Sequence, residues 1–251
     1  DRPFTWLAGL YYLRDKSSAD FFVSAGAFSP TAFYPLTPSV LQNTKAWAAY
    51  AEGELTIGER VHLTVGGRYS DEKKHAQYRN GPGGVLMLDA RNSWNSFTPH
   101  AALRYDISDS ASAYVSYSQG FKSGLFDSLS TGACVDTTTL ANCPSPGTPV
   151  NPEKVKAYEV GFKYNAGGTS LAIAAFYNDY SGIQVGGRDA AGNLILFNAA
   201  AAEVYGAEVE FSSRLTDNFS VRGGASYTHG EYTDFPDAQD FAPLVGGGNT
   251  R

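Results

Sequence analysis

No apolar run in this chain approaches the ~20 residues that a membrane-spanning helix needs, so helical insertion is excluded at the outset. A basic stripe is missing too. The sequence sets 19 Lys and Arg against 25 Asp and Glu, a formal charge of -6, whereas a nucleic-acid surface replaces phosphate counterions with clustered cations. Histidine occurs four times, as His62, His75, His100 and His229, without an H-E-x-x-H pair or a Cys–His metal spacing. No G-x-S-x-G elbow accompanies the many serines. Enzyme chemistry finds little support, and no catalytic residue, metal site or cofactor is expected. The first residues, DRPFTW, lack the charged-then-apolar layout of a signal peptide; an export signal is expected to be already gone.

Only two cysteines occur, Cys134 and Cys143, within STGACVDTTTLANCPSPGTP. A pair this close in a Ser/Thr/Pro/Gly-rich segment reads as a local disulfide formed in an oxidising compartment. Metal binding is the weaker reading, because two thiolates with no His nearby are half of a zinc shell.

What is abundant is Gly, Tyr and Phe, at 27, 16 and 15 residues: a strand and turn composition. The stretch NPEKVKAYEVGFKYN, residues 151–165, alternates, with Tyr158, Val160, Phe162 and Tyr164 on one face and Ala157, Glu159, Gly161 and Lys163 on the other. Successive strand side chains point to opposite faces, so this is a ribbon with one apolar and one polar side. A soluble sandwich would press the apolar side onto a protein core, whereas a membrane barrel would turn it to lipid and point the charges into a lumen.

The same period recurs. VHLTVGGRYS sets Val61, Leu63, Val65 and Tyr69 against His62, Thr64 and Arg68; FTPHAALRYD sets Phe97, Leu103 and Tyr105 against His100 and Arg104. VYGAEVEFSS sets Tyr205, Val209 and Phe211 against Glu208 and Glu210, and FSVRGGASYTHG sets Phe219, Val221 and Tyr227 against Arg222. About nine strands are expected, near 4–15, 44–57, 60–79, 93–107, 111–123, 154–165, 169–183, 198–214 and 219–234. Strand SLAIAAFYNDY sorts less cleanly, and Phe176 is expected to pack inside the lumen.

Two features separate lipid from sandwich. Many strands run to ten or more residues, against about five or six in globular proteins and the ~9–11 that cross a bilayer at a tilt. Tight turns (TIGERV, DISDSAS, NAGGTS, LTDNFS) also alternate with long links, among them RNGPGGVLMLDARN, the cysteine segment and SGIQVGGRDAAGNL. In an up-and-down barrel such alternation trims one rim and elaborates the other. Tyr105, Tyr164, Phe211 and Phe219 lie near the tight turns, where an aromatic girdle belongs, with Tyr69 and Tyr227 expected at the far ends.

Four blocks in order, YVSYSQGFKSG (114–124), NPEKVKAYEVGFKYN (151–165), FYNDYSGIQV (176–185) and FNAAAAEVYGAEVEF (197–211), closely resemble consecutive strands of TonB-dependent outer-membrane receptors. The resemblance covers residues from about 44 to 235. It implies an all-β, antiparallel, up-and-down transmembrane barrel of 22 strands, closed by a plug, that takes up a scarce bulky ligand such as a ferric siderophore. The resemblance further implies energy from the TonB complex and residence in the outer membrane of a Gram-negative bacterium, in contact with its lipid. Residues 1–251 read as part of one barrel domain. With about nine strands, no plug or TonB-box before residue 1, and GGGNTR at the end, the chain is expected to be an internal piece of a longer receptor.

The charges expected to face the lumen or plug are Arg68, Arg104, Glu159, Lys163, Glu208, Glu210 and Arg222. Ligand capture is expected on the elaborated rim, with Tyr78, Arg79, Trp94, Phe121, Lys122, Phe126, Asp127 and Arg188 as candidates in the outer loops. Aromatics there can stack on a flat chelate and cations can meet its negative charge; loop packing is the competing role for each. A passive porin or autotransporter-type barrel, and a soluble β-sandwich binding protein, are the alternative functions.

Overall fold

The computed structural model describes residues 3–20, 38–80, 83–127, 149–188, 194–198 and 201–234. The first five strands are β1 (Phe4–Asp20), β2 (Pro38–Ile57), β3 (Val61–Asn80), β4 (Leu86–Ser108) and β5 (Ala111–Lys122). Two short strands follow, β6 (Leu125–Phe126) and β7 (Pro149–Val150), then β8 (Glu153–Ala166) and β9 (Thr169–Ser181). A second short pair, β10 (Gln184–Arg188) and β11 (Leu194–Asn198), precedes β12 (Ala201–Thr216) and β13 (Phe219–Asp234). The nine long strands form one antiparallel sheet in the order β1-β2-β3-β4-β5-β8-β9-β12-β13, while β6–β7 and β10–β11 are separate two-stranded ribbons. This is an up-and-down wall in which each long strand pairs with the next.

The register shows why these sequences make one surface. A single row of directly opposed residues crosses all nine strands: Phe4, Leu55, Leu63, Leu103, Val115, Val160, Ala175, Ala207 and Tyr227. Every member is apolar or aromatic, and Val160 is 56% exposed although its backbone is fully paired. A one-residue slip anywhere would replace that row with Glu159 and its neighbours, so a lipid-facing surface pins the register strongly. The next row up is a tyrosine ladder, Tyr117, Tyr158, Tyr177 and Tyr205, with ring centroids 5.0 Å apart for Tyr117–Tyr158 and 6.2 Å for Tyr158–Tyr177. On β2 and β3 the corresponding aromatics sit farther along, where Trp47 and Tyr69 are 5.5 Å apart. The belt therefore runs obliquely to the rows, as it must where strands tilt. Tyr227, expected at a far end, lies instead one row below Tyr205.

Tight turns close one rim. Between Ala166 and Thr169 only Gly167 and Gly168 remain, at φ 59° and 80°, the double left-handed conformation a type I′ hairpin demands. At the opposite rim the sequence-based boundaries need correction. Strand β2 begins at Pro38 and β4 at Leu86, several residues before the expected 44 and 93. The stretch RNGPGGVLMLDARN is not a long loop, because most of it belongs to a hairpin in which Tyr78 faces Leu88 and His75 faces Arg91. Its alternation was hidden because the polarity inverts above the belt. There Ala76, Tyr78, Leu88 and Ala90 turn inward as a packed cluster, and His75, Gln77, Asp89 and Arg91 turn outward.

Candidate functional site

The polar face of the wall carries a connected set of charges. Near the tight turns, His62 Nε2 lies 2.8 Å from Asp106 Oδ2, and Arg104 Nε lies 3.2 Å from Asp106 Oδ1. One strand pair away, His100 Nε2 is 2.8 Å from Glu52 Oε2. Arg68 donates from Nε to Ser70 Oγ at 3.0 Å and holds its guanidinium 5.3 Å from the ring centre of Tyr11. On β5 and β8 the Tyr114 hydroxyl donates to Glu159 Oε1 at 2.5 Å, while Lys163 Nζ sits 5.4 Å from the Tyr114 ring centre. Glu208 and Glu210 on β12 and Arg222 on β13 are exposed. They make no ion pair among the described residues.

Phe176 lies on this same face, opposite Glu159 and Gly206. A Cβ at position 206 would come 2.8 Å from Phe176 Cζ, so the glycine is what lets the ring lie down on the wall.

The far rim holds a second arrangement. Tyr78, Trp94 and Phe126 are 2%, 6% and 3% exposed and pack together with Val40 and Ala76. Trp94 and Phe126 meet edge to face at 6.0 Å. The Tyr78 hydroxyl donates to the Asp127 carbonyl at 2.9 Å, Lys74 Nζ donates to the Gly124 carbonyl at 2.8 Å, and Asp127 Oδ2 accepts from the Leu196 N–H at 2.8 Å. Burial pushes the Tyr78 phenol well above its ordinary range, and the nearby Asp127 charge adds to the effect. Beside it, Asn198 Nδ2 donates to the carbonyls of Asn151 and Gly182, both at 2.8 Å, and its Oδ1 accepts from the Asn151 N–H at 2.6 Å. Gln184 donates its N–H to Glu153 Oε2 at 3.1 Å and its side-chain amide to the carbonyls of Ser123 and Asn151. The Asn and Glu of NPE, the Gln of SGIQV and the Asn of FNAA thus meet at one junction that ties three chain segments together. Among the described residues no three His, Cys, Asp or Glu side chains converge as metal ligands.

A family model described as TonB dependent receptor-like, beta-barrel matches residues 2–250. The chain belongs to the TonB-dependent receptor β-barrel family. It is similar to the ferrioxamine receptor of Yersinia enterocolitica, 29% identical over 192 residues, which are 76% of this chain and 24% of that receptor. It is also similar to the ferric-pyoverdine 358 receptor of Pseudomonas putida, 26% identical over 194 residues, covering 74% of this chain and 21% of the receptor. In three dimensions it shares the fold of the ferric yersiniabactin uptake receptor from Yersinia pestis, with a TM-score of 0.74 at 20% identity over 93% of this chain and 33% of that one. The chain therefore spans about a quarter of the length of the curated relatives it matches.

Within this receptor barrel the expected inner-wall charges all take the polar face, in the pairs and rows given above. Of the expected rim residues, Tyr78 and Arg79 end β3, Trp94 is within β4, and Phe121 and Lys122 end β5, so these five belong to strands of the wall, whereas Phe126 in β6, Asp127 next to it and Arg188 at the end of β10 lie in the β5–β8 and β9–β12 links. Tyr78, Trp94, Phe126 and Asp127 come together as the base of the β5–β8 link. Arg79 Nη1 donates to the Gly84 carbonyl at 3.1 Å and Lys122 Nζ is 3.7 Å from Glu153 Oε2. Cys134 and Cys143 lie outside the described residues. Sequence reasoning missed Tyr114, Lys74 and the Asn151–Asn198 clamp; the last was legible in principle, since both asparagines stand in the quoted blocks.

Proposed function

We propose that this chain builds part of the wall of an outer-membrane receptor that binds a ferric siderophore and imports it with energy from the TonB complex. The observation that carries this reading is the polar face of the wall, where Glu208, Glu210 and Arg222 present charge that the wall itself does not neutralise. Exposed charge on the inside of a tall apolar-faced barrel fits a lumen filled by a second polar body, such as a plug, that can be held and then released. A rim stiffened by buried anchors such as Tyr78 and Trp94 is suited to hold binding loops in place. The names of the ferrioxamine and ferric-pyoverdine receptors favour an iron chelate as cargo.

A strain lacking the full-length receptor gene, grown on one chelate at a time as sole iron source, tests the proposal. Growth is expected to fail on one ferric siderophore and to return with the gene, but not in a TonB-deficient background. Undiminished growth on every chelate would overturn the siderophore assignment.

A further inference from the structure

Two of the four histidines sit on the polar face of the wall, His62 and His100, both in the half of β3 and β4 nearer the tight turns and both aimed at carboxylates. His62 Nε2 lies 2.8 Å from Asp106 Oδ2, and its Nδ1 lies 3.2 Å from Thr56 Oγ1 and 4.0 Å from Glu54 Oε1. His100 on β4 reaches Glu52 on β2 at 2.8 Å, because Gly66, opposed to both, leaves the space that the imidazole fills. A Cβ at position 66 would overlap His100 Cε1.

Protonation of the two rings changes the charge balance of this sector. A neutral His62 is satisfied as it stands, with Nε2–H donating to Asp106 and Nδ1 accepting from the Thr56 hydroxyl. The sector then sets three carboxylates, Glu52, Glu54 and Asp106, against one guanidinium, that of Arg104, 3.2 Å from Asp106. With both rings charged, three cations stand against three carboxylates, and the new Nδ1–H of His62 has Glu54 as its counter-charge. Neighbouring groups do not enter this balance. Arg68, farther along β3, is turned to Ser70 and Tyr11, and Arg60 in the turn donates to the Ile107 carbonyl at 3.5 Å. On the flanks β1 presents Thr5 and Leu7, and β5 presents Ser112, Ser116, Ser118 and the phenol of Tyr114. Carboxylates and guanidinium groups ordinarily keep their charge across the range in which imidazole titrates. Among the described residues the polar face of β5–β13 carries no histidine, since His229 stands opposite Tyr205 and shares its lipid-side face.

We propose that the inner face of β2–β4 is an acid-released grip on the polar body that fills the lumen. At neutral pH the surplus carboxylates of Glu52 and Glu54 hold cationic side chains of that body; in mild acid His62 and His100 become their counter-ions from within the wall, and the hold on the body weakens. The direction follows from the balance above, because protonation removes the sector's excess negative charge. The inference rests on the plugged-lumen reading given under the proposed function and not on the identity of the cargo.

The test uses the full-length receptor in planar lipid bilayers, with the urea-induced rise in ion conductance as the measure of how firmly the lumen is held closed. It is run at about pH 7.5 and about pH 5.5, on either side of the ordinary imidazole range. At fixed urea the rate of opening is expected to be about fivefold higher at the lower pH. His62→Gln combined with His100→Gln should remove that difference, since neither side chain gains a proton, whereas His75→Gln combined with His229→Gln, on the other face, should keep it. The comparison of the two pH values on the unaltered receptor needs no variant, and His100→Gln alone, at the more exposed of the two rings, should already reduce the difference. Equal opening rates at both pH values in the unaltered receptor, or an undiminished difference in the variant lacking both inner histidines, would overturn the proposal. A receptor that conducts without urea at both pH values would overturn the plugged-lumen reading and this inference with it.

Discussion

Gly161 of β8 stands directly opposite Tyr114 of β5, and the tyrosine ring lies flat across it to reach Glu159, two residues away on the same strand. A side chain at 161 would overlap that ring. The Tyr-Glu-x-Gly-x-Lys block is therefore more than an amphipathic strand, since its glycine makes room for the donor to its glutamate and its lysine lies over the same ring.

Replacing Gly161 with Val should displace Tyr114 and leave Glu159 without its donor, at a cost of about 1–3 kcal/mol for overpacking. Phe at position 114 keeps the ring and removes only the hydroxyl, so Tyr114→Phe should cost less. Comparing the thermal unfolding of the two full-length variants checks the order; a Gly161→Val midpoint at or above that of Tyr114→Phe would contradict it.

Arginine at Val65, Val160 or Val209 places charge on the apolar face, where a residue near the bilayer midplane costs about 2–4 kcal/mol. Folded, heat-modifiable receptor should fall for each. Arginine at Glu159, one residue from Val160 but on the other face, should be tolerated for assembly. If both sets assemble equally well, the apolar face does not meet lipid.

Reversing Glu208 and Glu210 together to Lys should weaken whatever the lumen holds against β12. Entry of bulky antibiotics that the intact receptor excludes is the readout, and exclusion that stays complete would show that these carboxylates do not hold the lumen closed.

At the rim, Trp94→Ala should remove the edge-to-face contact with Phe126 and free the β5–β8 link, and Tyr78→Phe should cost about 1 kcal/mol for the lost hydrogen bond to the Asp127 carbonyl. Hydrogen exchange at Gly124–Asp127 is expected to quicken in both, more in the first. Protection equal to the parent receptor would mean that the link is held elsewhere.

The Asp89 carboxyl is held below the usual carboxylate range by hydrogen bonds from Gln77 and then His75. Because the folded value is depressed, its contribution is present above the unfolded carboxylate range and is lost as pH falls through the folded value. Exchange protection of the β3–β4 tip should accordingly drop in acid, and Asp89→Asn should flatten that dependence. An unchanged acid response in the variant would assign the effect to another group.

The alternation of Val61, Leu63 and Val65 with His62, Thr64 and Arg68 determined nearly everything about the part of this wall that faces lipid: the strand count, the antiparallel order, and which side carries charge. Two solvents on two faces leave a period-two imprint that needs no partner to be read. Only the tertiary structure decided what happens beyond the belt, because there water bathes the outside and folded links fill the inside, so the polarity of each face inverts and the period, still present, loses its meaning. Tyr78 and Trp94, expected in outer loops, are inward-facing strand residues for that reason. Tyr114 over Gly161, and His100 across Gly66 from Glu52, depend on cross-strand register. Register is set by the sum of pairings across the sheet, and no single strand carries it.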